Sequence, residues 1–150
     1  MIKILFVCHG NICRSVMAEY IMRYMVEQAG LAGEYVIDSA AATTEEIGNE
    51  MYPPAKRKLD EKGIPYGHHR ARKIVSSDYN KYDYLIGMDE ENIFDMKDVF
   101  GDDNEGKIYK LMSFAGKTKD VADPWYTRDF EATYRDLCEG IRGFMASVQG

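Results

Sequence analysis

The sequence has little of what disulfide-bonded, membrane-spanning or nucleic-acid-binding proteins require. It contains three cysteines, Cys8, Cys13 and Cys138, and an odd count with two members in one short segment argues against a secreted disulfide framework. No apolar run approaches the roughly 20 residues that a membrane-spanning helix needs. The formal net charge of -6 disfavours binding to nucleic acid or to anionic membranes. These absences predict a cytoplasmic protein with reduced thiols and with neither a nucleic-acid nor a membrane partner.

The composition and the order of predicted elements favour one α/β domain over residues 1–150. The 45% apolar and 29% charged content is typical of a globular protein with a substantial core. Residues 2–7 are nearly continuous apolar sequence, which is typical of a buried parallel strand and too short for a signal sequence. Further strands are predicted at 35–40, 83–88 and 107–112, and helices at 15–29, 53–62, 90–100 and 129–148. Because strands and helices alternate, we expect an open four-stranded parallel sheet with helices on both faces.

The segment of residues 8–14, Cys-His-Gly-Asn-Ile-Cys-Arg, joins the first predicted strand to the first predicted helix. Backbone N–H groups and the positive end of a helix dipole meet at such a junction and bind a dianionic phosphoryl group well. A thiol at Cys8 lies in the same field and is expected to ionise near neutrality, so that it can attack phosphorus. Arg14 offers paired donors to two phosphoryl oxygens, while Gly10 allows a tight bend and Asn11 tolerates a left-handed backbone. The sequence therefore predicts a phosphate-binding loop that contains a nucleophile.

The Cys-x5-Arg spacing, followed by Ser15, resembles the loop C-x-G-N-x-C-R-S of the low-molecular-weight protein tyrosine phosphatases. Residues 38–41, 88–90 and 123–126 also stand in that family's order at roughly its intervals, so the resemblance extends over nearly the whole chain. It implies a redox-regulated enzyme, a monomer or weakly self-associating, that hydrolyses phosphotyrosine in proteins and aryl phosphates through a phosphocysteine, without a metal or other cofactor. The residues expected to bind phosphate-like oxyanions are His9, Gly10, Asn11, Ile12, Cys13, Arg14 and Ser15.

Polar side chains outside the loop are expected to support it. In the family resembled, such side chains hold the loop asparagine, which is Asn11 here. Ser39 and His69 stand at about the right places, although the stretch around His69 is one residue longer than the family pattern and leaves His68 as an alternative. An exposed histidine pair without a role is the other interpretation. Ser15 can donate its hydroxyl proton to the catalytic thiolate, cap the first helix, or do both.

A proton donor and an aromatic wall are predicted from residues near position 125. Asp123 is expected to give a proton to the departing phenolic oxygen and later to take one from water; a turn that begins with Asp-Pro is the alternative. Trp125 and Tyr126 are expected to enclose a phenyl ring, or else to pack on the core. Ile12 favours phosphotyrosine, because arginine phosphatases related to this family have threonine there. Glu45 falls where the family often has an aromatic side chain, which makes the predicted pocket more acidic.

Cys13 has no evident part in phosphoryl transfer but lies in the same loop as Cys8. A thiolate is the form of cysteine that peroxide oxidises, and a neighbouring thiol can capture the resulting sulfenic acid. The family resemblance implies that Cys8 and Cys13 form a reversible disulfide under mild peroxide. Packing of Cys13 as a small apolar side chain is the alternative.

Three other functions use parts of the same pattern. Arsenate reduction on this scaffold relays a disulfide through two further cysteines after the third strand, and residues 76–119 contain none. A phosphocysteine carrier of the sugar-phosphotransfer type needs no acid to expel a phenol, so Arg14 and Asp123 argue against it. A module that binds phosphotyrosine without turnover stays open, because it would require the same loop.

Overall fold

In the computed structural model of the protein, which describes residues 1–149, the strands form one open sheet. They are β1 (Ile2–Cys8), β2 (Tyr35–Ala41), β3 (Tyr84–Gly87) and β4 (Ile108–Lys110). Their order in the four-stranded sheet is β2-β1-β3-β4, and every pairing is parallel. The predicted four-stranded parallel sheet is therefore confirmed.

Helices cover both faces of this sheet. They are α1 (Arg14–Gln28), α2 (Pro53–Glu61), α3 (Asp78–Lys81), α4 (Glu90–Phe100), α5 (Pro124–Thr127) and α6 (Phe130–Gln149). The four longer ones agree with the predicted ranges to within a residue at each end. Among residues 1–149, none of the helices combines the length and the apolar character that a membrane crossing requires.

Alternate side chains of β1 belong to different cores. Ile4 and Phe6 lie in the larger core, which β1 shares with α1 and α6, whereas Leu5 and Val7 lie in a smaller core that includes Met96 of α4. All four β1 side chains are fully buried. This is the two-sided burial that the apolar run predicts, because successive strand residues face opposite sides of a sheet.

The region after β4 differs from the sequence prediction. The strand stops at Lys110, and residues 111–115 form a 3-10 helix instead of its continuation. Helix α6 packs directly on this turn: a Cβ atom added at Gly143 would collide with the carbonyl group of Phe114. Such a contact depends on tertiary packing, so the local pattern does not show it. Helices α3 and α5 are also not predicted, because four residues each are too few to show an apolar period.

The sheet places its ligand-binding edge at the end of β1. Strand β2 lies on one side of β1 and β3 on the other, and open α/β sheets bind ligands beyond the carboxyl ends of strands at such a reversal. The chain after β4 returns to this edge, where the Val121 N–H donates to the Met88 carbonyl oxygen at 2.9 Å. Segments that follow β1, β3 and β4 therefore meet in one crevice.

Candidate active site

The phosphate loop, residues 8–14, curls around Asn11. This residue has a φ of 60° and is fully buried, an uncommon backbone conformation for a residue with a side chain. Its amide nitrogen donates to Ser15 Oγ at 2.7 Å and to Ser39 Oγ at 3.0 Å. These bonds hold the bend from both sides. The sequence predicts such a contact with Asn11 for Ser39 but not for Ser15.

One of the two candidate histidines also holds the loop. His69 Nε2 lies 2.7 Å from the main-chain carbonyl oxygen of Asn11, so it contacts the backbone of that residue and not its side chain. His68 is exposed and lines a separate cavity with His69. The structure thus brings His69 to the loop and leaves His68 outside it. The sequence alone does not distinguish between these two adjacent histidines.

Cys8 lies at the end of β1 with its sulfur against the first turn of α1. The Ser15 N–H donates to Cys8 Sγ at 3.4 Å, and Ser15 Oγ lies 3.1 Å from the same sulfur. Both groups stabilise a negative charge on sulfur, since each can offer it a hydrogen. Helix α1 begins at Arg14 with Cys13 at the N-cap, so the alternative role of Ser15 as a helix cap is wrong.

Arg14 is a buried cation with three acceptors around its guanidinium. Its Nη1 donates to Asp89 Oδ2 at 2.7 Å and to the Val121 carbonyl oxygen at 2.8 Å, and Nη2 lies 3.5 Å from Asp123 Oδ2. Burial opposes its charged form, but the negative charges of Cys8 and Asp89 outweigh burial and raise the pKa of Arg14 above its ordinary value. A guanidinium fixed in this way suits bidentate binding of phosphoryl oxygens.

Asp123 uses its two carboxylate oxygens differently. Oδ1 accepts the Trp125 N–H at 3.0 Å and so caps helix α5, whereas Oδ2 is the oxygen near Arg14. The side chain is 25% exposed and lines the same pocket as Cys8. Asp123 therefore does both things: it begins the turn with Pro124, and it lines the pocket that contains Cys8.

An aromatic wall continues from Asp123. Trp125 and Tyr126 both line the pocket, and Tyr126 is 81% exposed. The Trp125 ring packs on Tyr52 with the ring centroids 4.8 Å apart. The Tyr52 N–H in turn donates to the Ile12 carbonyl oxygen at 2.9 Å. The wall is thus tied to the phosphate loop through one tyrosine.

The opposite wall is acidic. Glu45 and Glu46 line it, and Glu45 Oε2 lies 2.6 Å from His9 Nε2. Ile12 lines the same pocket with an apolar side chain. Glu45 therefore lies where the sequence predicts it, while Glu46 adds a second carboxylate to the same wall.

One group of side chains beside the pocket offers possible metal ligands. A ring nitrogen of His9 and carboxylate oxygens of Glu91 and Asp95 lie within 4.8 Å of one another. Exposed acidic groups commonly gather in this way without an ion.

Cys13 is a buried residue of the phosphate loop, with 5% of its surface exposed. Burial, and after it the charge of Cys8, raise the pKa of this thiol well above its ordinary value. Cys13 is therefore a neutral thiol at physiological pH. Cys8, Cys13 and Cys138 are all free.

Two residues that the sequence analysis did not assign belong to this site. Asp89 caps α4 by accepting the Asn92 N–H at 2.8 Å, and its other oxygen holds Arg14. Because it follows β3, the neighbour of β1, its position at the carboxyl ends of the strands is the feature of the sequence that could identify it. Glu19 accepts the Ser39 hydroxyl at 2.6 Å. The feature that could identify Glu19 is an acidic residue on the buried face of α1.

The chain is similar to a group of known phosphatases along nearly its whole length. The family model described as low molecular weight phosphotyrosine protein phosphatase matches residues 3–150. Low molecular weight protein-tyrosine-phosphatase YfkJ of Bacillus subtilis is 37% identical over 99% of this chain and 97% of its own. The low molecular weight phosphotyrosine protein phosphatase of Sus scrofa is 36% identical over 98% and 96%.

Solved structures agree with these sequence matches. The crystal structure of YfkJ superposes with a TM-score of 0.95 at 37% identity, covering 99% of this chain and 95% of that one. The crystal structure of the drosophila arginine phosphatase DARP gives 0.91 at 27% identity, covering 99% of each chain. The chain therefore belongs to the low molecular weight phosphotyrosine protein phosphatases, a family of protein-tyrosine-phosphatase enzymes.

Proposed function

We propose that the protein hydrolyses phosphotyrosine in protein substrates, and aryl phosphates, in two steps through a phosphocysteine on Cys8. The observation that carries this proposal is the position of the Cys8 sulfur, which lies against both the N–H and the hydroxyl group of Ser15, in one pocket with the buried cation Arg14. Arg14 can hold the phosphoryl group while the sulfur attacks it. No metal or other cofactor takes part.

In the first step, the Cys8 thiolate attacks phosphorus. The S–P bond forms as the P–O bond to tyrosine breaks, and the bonding electrons of P–O go to the phenolic oxygen. Arg14 and the N–H groups of the phosphate loop stabilise the equatorial oxygens of the transition state. Asp123 gives its proton to the phenolic oxygen, so that tyrosine leaves as a neutral group.

In the second step, water attacks the phosphorus of the phosphocysteine. Asp123 takes the proton from that water, the S–P bond breaks, and its electron pair returns to sulfur. The Ser15 hydroxyl and N–H then stabilise the departing thiolate. Inorganic phosphate is released, and both Cys8 and Asp123 regain their starting protonation states.

The pocket favours an aromatic phosphate. Trp125 and Tyr126 offer flat surfaces for a phenyl ring, and the apolar Ile12 stands where arginine phosphatases related to this family have threonine. DARP, a structural neighbour, is named an arginine phosphatase, so phosphoarginine is the substrate class to compare. We expect phosphotyrosine peptides to be hydrolysed in preference to phosphoarginine peptides, by a cytoplasmic enzyme that is a monomer or associates weakly.

Turnover of a chromogenic aryl phosphate tests the proposal. The wild-type protein should release many equivalents of phenol, unaffected by EDTA, with free phosphate competing as an oxyanion. Cys8→Ser should abolish turnover while the fold survives, because a serine hydroxyl is not ionised by the loop near neutral pH. Retention of more than a few per cent of the rate in a pure preparation would remove Cys8 as the nucleophile.

Other outcomes identify the other functions. One equivalent of phenol without turnover would indicate a phosphocysteine carrier, and none would indicate a binding module. Consumption of thiols that depends on arsenate would indicate arsenate reduction. Inhibition by EDTA that added metal reverses would contradict the two-step mechanism.

A further inference from the structure

The acidic side of the pocket rim has carboxylates without a lysine or arginine partner. Glu45 Oε2 lies 2.6 Å from His9 Nε2, and on the other side of the ring Glu91 Oε1 of α4 lies 3.6 Å from His9 Nδ1. An Asp95 oxygen lies within 4.8 Å of Glu91 and of the His9 ring. Among residues 1–149, no lysine or arginine forms an ion pair with any of these three carboxylates. One imidazole is thus shared by three acidic side chains.

The hydrogen on the His9 ring leaves a group of acceptors beside α4. A neutral imidazole has one N–H and one acceptor nitrogen, and a carboxylate can only accept. The short contact with Glu45 therefore places the hydrogen on Nε2, and Nδ1 presents its lone pair to Glu91. With the Asp95 oxygen, three acceptors face one another and no donor lies among them. The group is complementary to a cation that donates hydrogen bonds.

An exposed aromatic ring distinguishes between kinds of cation. Phe94 is 74% exposed and follows Glu91 by three positions in α4, which makes the two side chains neighbours on the helix surface. A metal ion would leave this ring exposed to water. A lysine side chain has an apolar stem that can cover the ring, and its ammonium group has three hydrogens and no acceptor. The acceptors and the ring together therefore fit lysine.

The phosphoryl group of a substrate makes the shortage of cations on this side more costly. Glu45 and Glu46 line the same pocket as Cys8, so they lie near the dianion that the phosphate loop binds. Like charges at close range destabilise one another. A substrate that carries a lysine beside its phosphotyrosine brings a compensating charge to the rim, whereas a substrate without one leaves the carboxylates facing the dianion.

We propose that the rim binds a lysine side chain of the substrate beside its phosphotyrosine, so that the enzyme prefers lysine-containing sequences. The residues of this lysine subsite are His9, Glu91, Phe94 and Asp95. The inference rests on the proposed function, because the lysine must belong to a phosphotyrosine substrate. The subsite does not touch the reacting atoms, so its contact is equally strong in the ground state and the transition state. It should therefore lower KM and leave kcat unchanged.

Steady-state kinetics with matched phosphotyrosine peptides tests the subsite. The peptides carry one lysine at successive positions on either side of the phosphotyrosine, or norleucine at the same position, which keeps the apolar stem without the charge. EDTA is present, so that no metal ion competes for the acceptors. At the best position, lysine should lower KM about fivefold relative to norleucine, the upper end for an exposed ion pair. Equal KM values at every position would overturn the proposal.

Variants of α4 show whether the preference comes from the subsite. Glu91→Gln should reduce the preference for lysine to about twofold or less, and Glu91→Lys should reverse it in favour of norleucine. Asp98→Asn is the matched control, because it removes a charge from an exposed position of the same helix, about 10 Å further along its axis. This control should keep the wild-type preference. An unchanged preference in Glu91→Gln would overturn the proposal, and so would an equal loss in Asp98→Asn.

The same assay separates the lysine subsite from the proposed function. If the wild type hydrolyses the lysine and norleucine peptides with the same KM and kcat, only the subsite is overturned. If it hydrolyses no phosphotyrosine peptide, the proposed function is overturned and the subsite with it.

Discussion

The phosphate loop and the acid segment of residues 123–127 form the same pocket but are built in opposite ways. In the loop, Asn11 is fully buried and Arg14 is 2% exposed, and both side chains are held by several hydrogen bonds. In the acid segment, Trp125 is 39% and Tyr126 81% exposed. The loop is thus buried and fixed, whereas the acid segment lies open to solvent.

This difference matches what each part must bind. The phosphoryl group is identical in every substrate, so a rigid cradle can be complementary to its transition state. The leaving group carries the rest of a protein, which varies from one substrate to the next. An exposed aromatic wall beside Asp123, the proposed proton donor, can accept that variation.

The largest effect is expected inside the cradle. Arg14→Lys keeps the charge but loses the paired donors, so kcat should fall about 10³-fold for every substrate, whatever its leaving group. Steady-state kinetics with a series of aryl phosphates measures this. Arg57→Lys on the exposed face of α2 is the matched control. Equal rates for Arg14→Lys and the wild type would remove Arg14 from the site.

A smaller and more selective effect is expected in the acid segment. Asp123→Asn should lower the rate by about two to three orders of magnitude for poor leaving groups, and the loss should shrink as the phenol becomes more acidic. The slope of log kcat against the acidity of the phenol measures the change. Asp102→Asn, in an exposed turn, should leave that slope unaltered. A uniform loss over all phenols would contradict a proton-donor role and would end the contrast with Arg14.

The smallest catalytic effect is expected at Cys13, for which we predict protection of Cys8 and no part in turnover. Since burial raises the pKa of Cys13, its thiol stays protonated below that raised value, and iodoacetamide at pH 7 should label Cys8 but not Cys13. Mild peroxide should convert Cys8 to a sulfenic acid, which condenses with the Cys13 thiol to a disulfide and releases water. A dithiol should then restore activity.

Cys13→Ser tests the capture of the sulfenic acid. This variant should turn over at a near-normal rate but recover poorly after peroxide, because nothing in the loop stops further oxidation of Cys8. Cys138→Ser, which removes the distant buried thiol of α6, should recover as the wild type does. Full recovery of Cys13→Ser would show that Cys13 only packs beneath the loop.

The sequence predicts those parts of the site that are contiguous or that follow an apolar period. Cys8 and Arg14 belong to one short segment whose Cys-x5-Arg spacing can be read from the sequence. The first and last residues of α4 follow from the sequence pattern of that helix. The choice of His69 over His68 depends on a single contact with the Asn11 carbonyl oxygen. Asp89 and Glu19 escape prediction because their partners are set by how α4 and β2 pack around the loop, and that packing has no local signal.

The distant origin of the partners of Arg14 has a consequence for synthesis of the chain. Val121 lies 107 positions after Arg14, and Asp123 lies 109 after it. A nascent chain that has left the ribosome only as far as α4 contains Cys8, the loop and Asp89, but neither the second acceptor for Arg14 nor Asp123. In the proposed mechanism, hydrolytic activity therefore arises only after residue 123 has left the ribosome, when about four-fifths of the chain has been made.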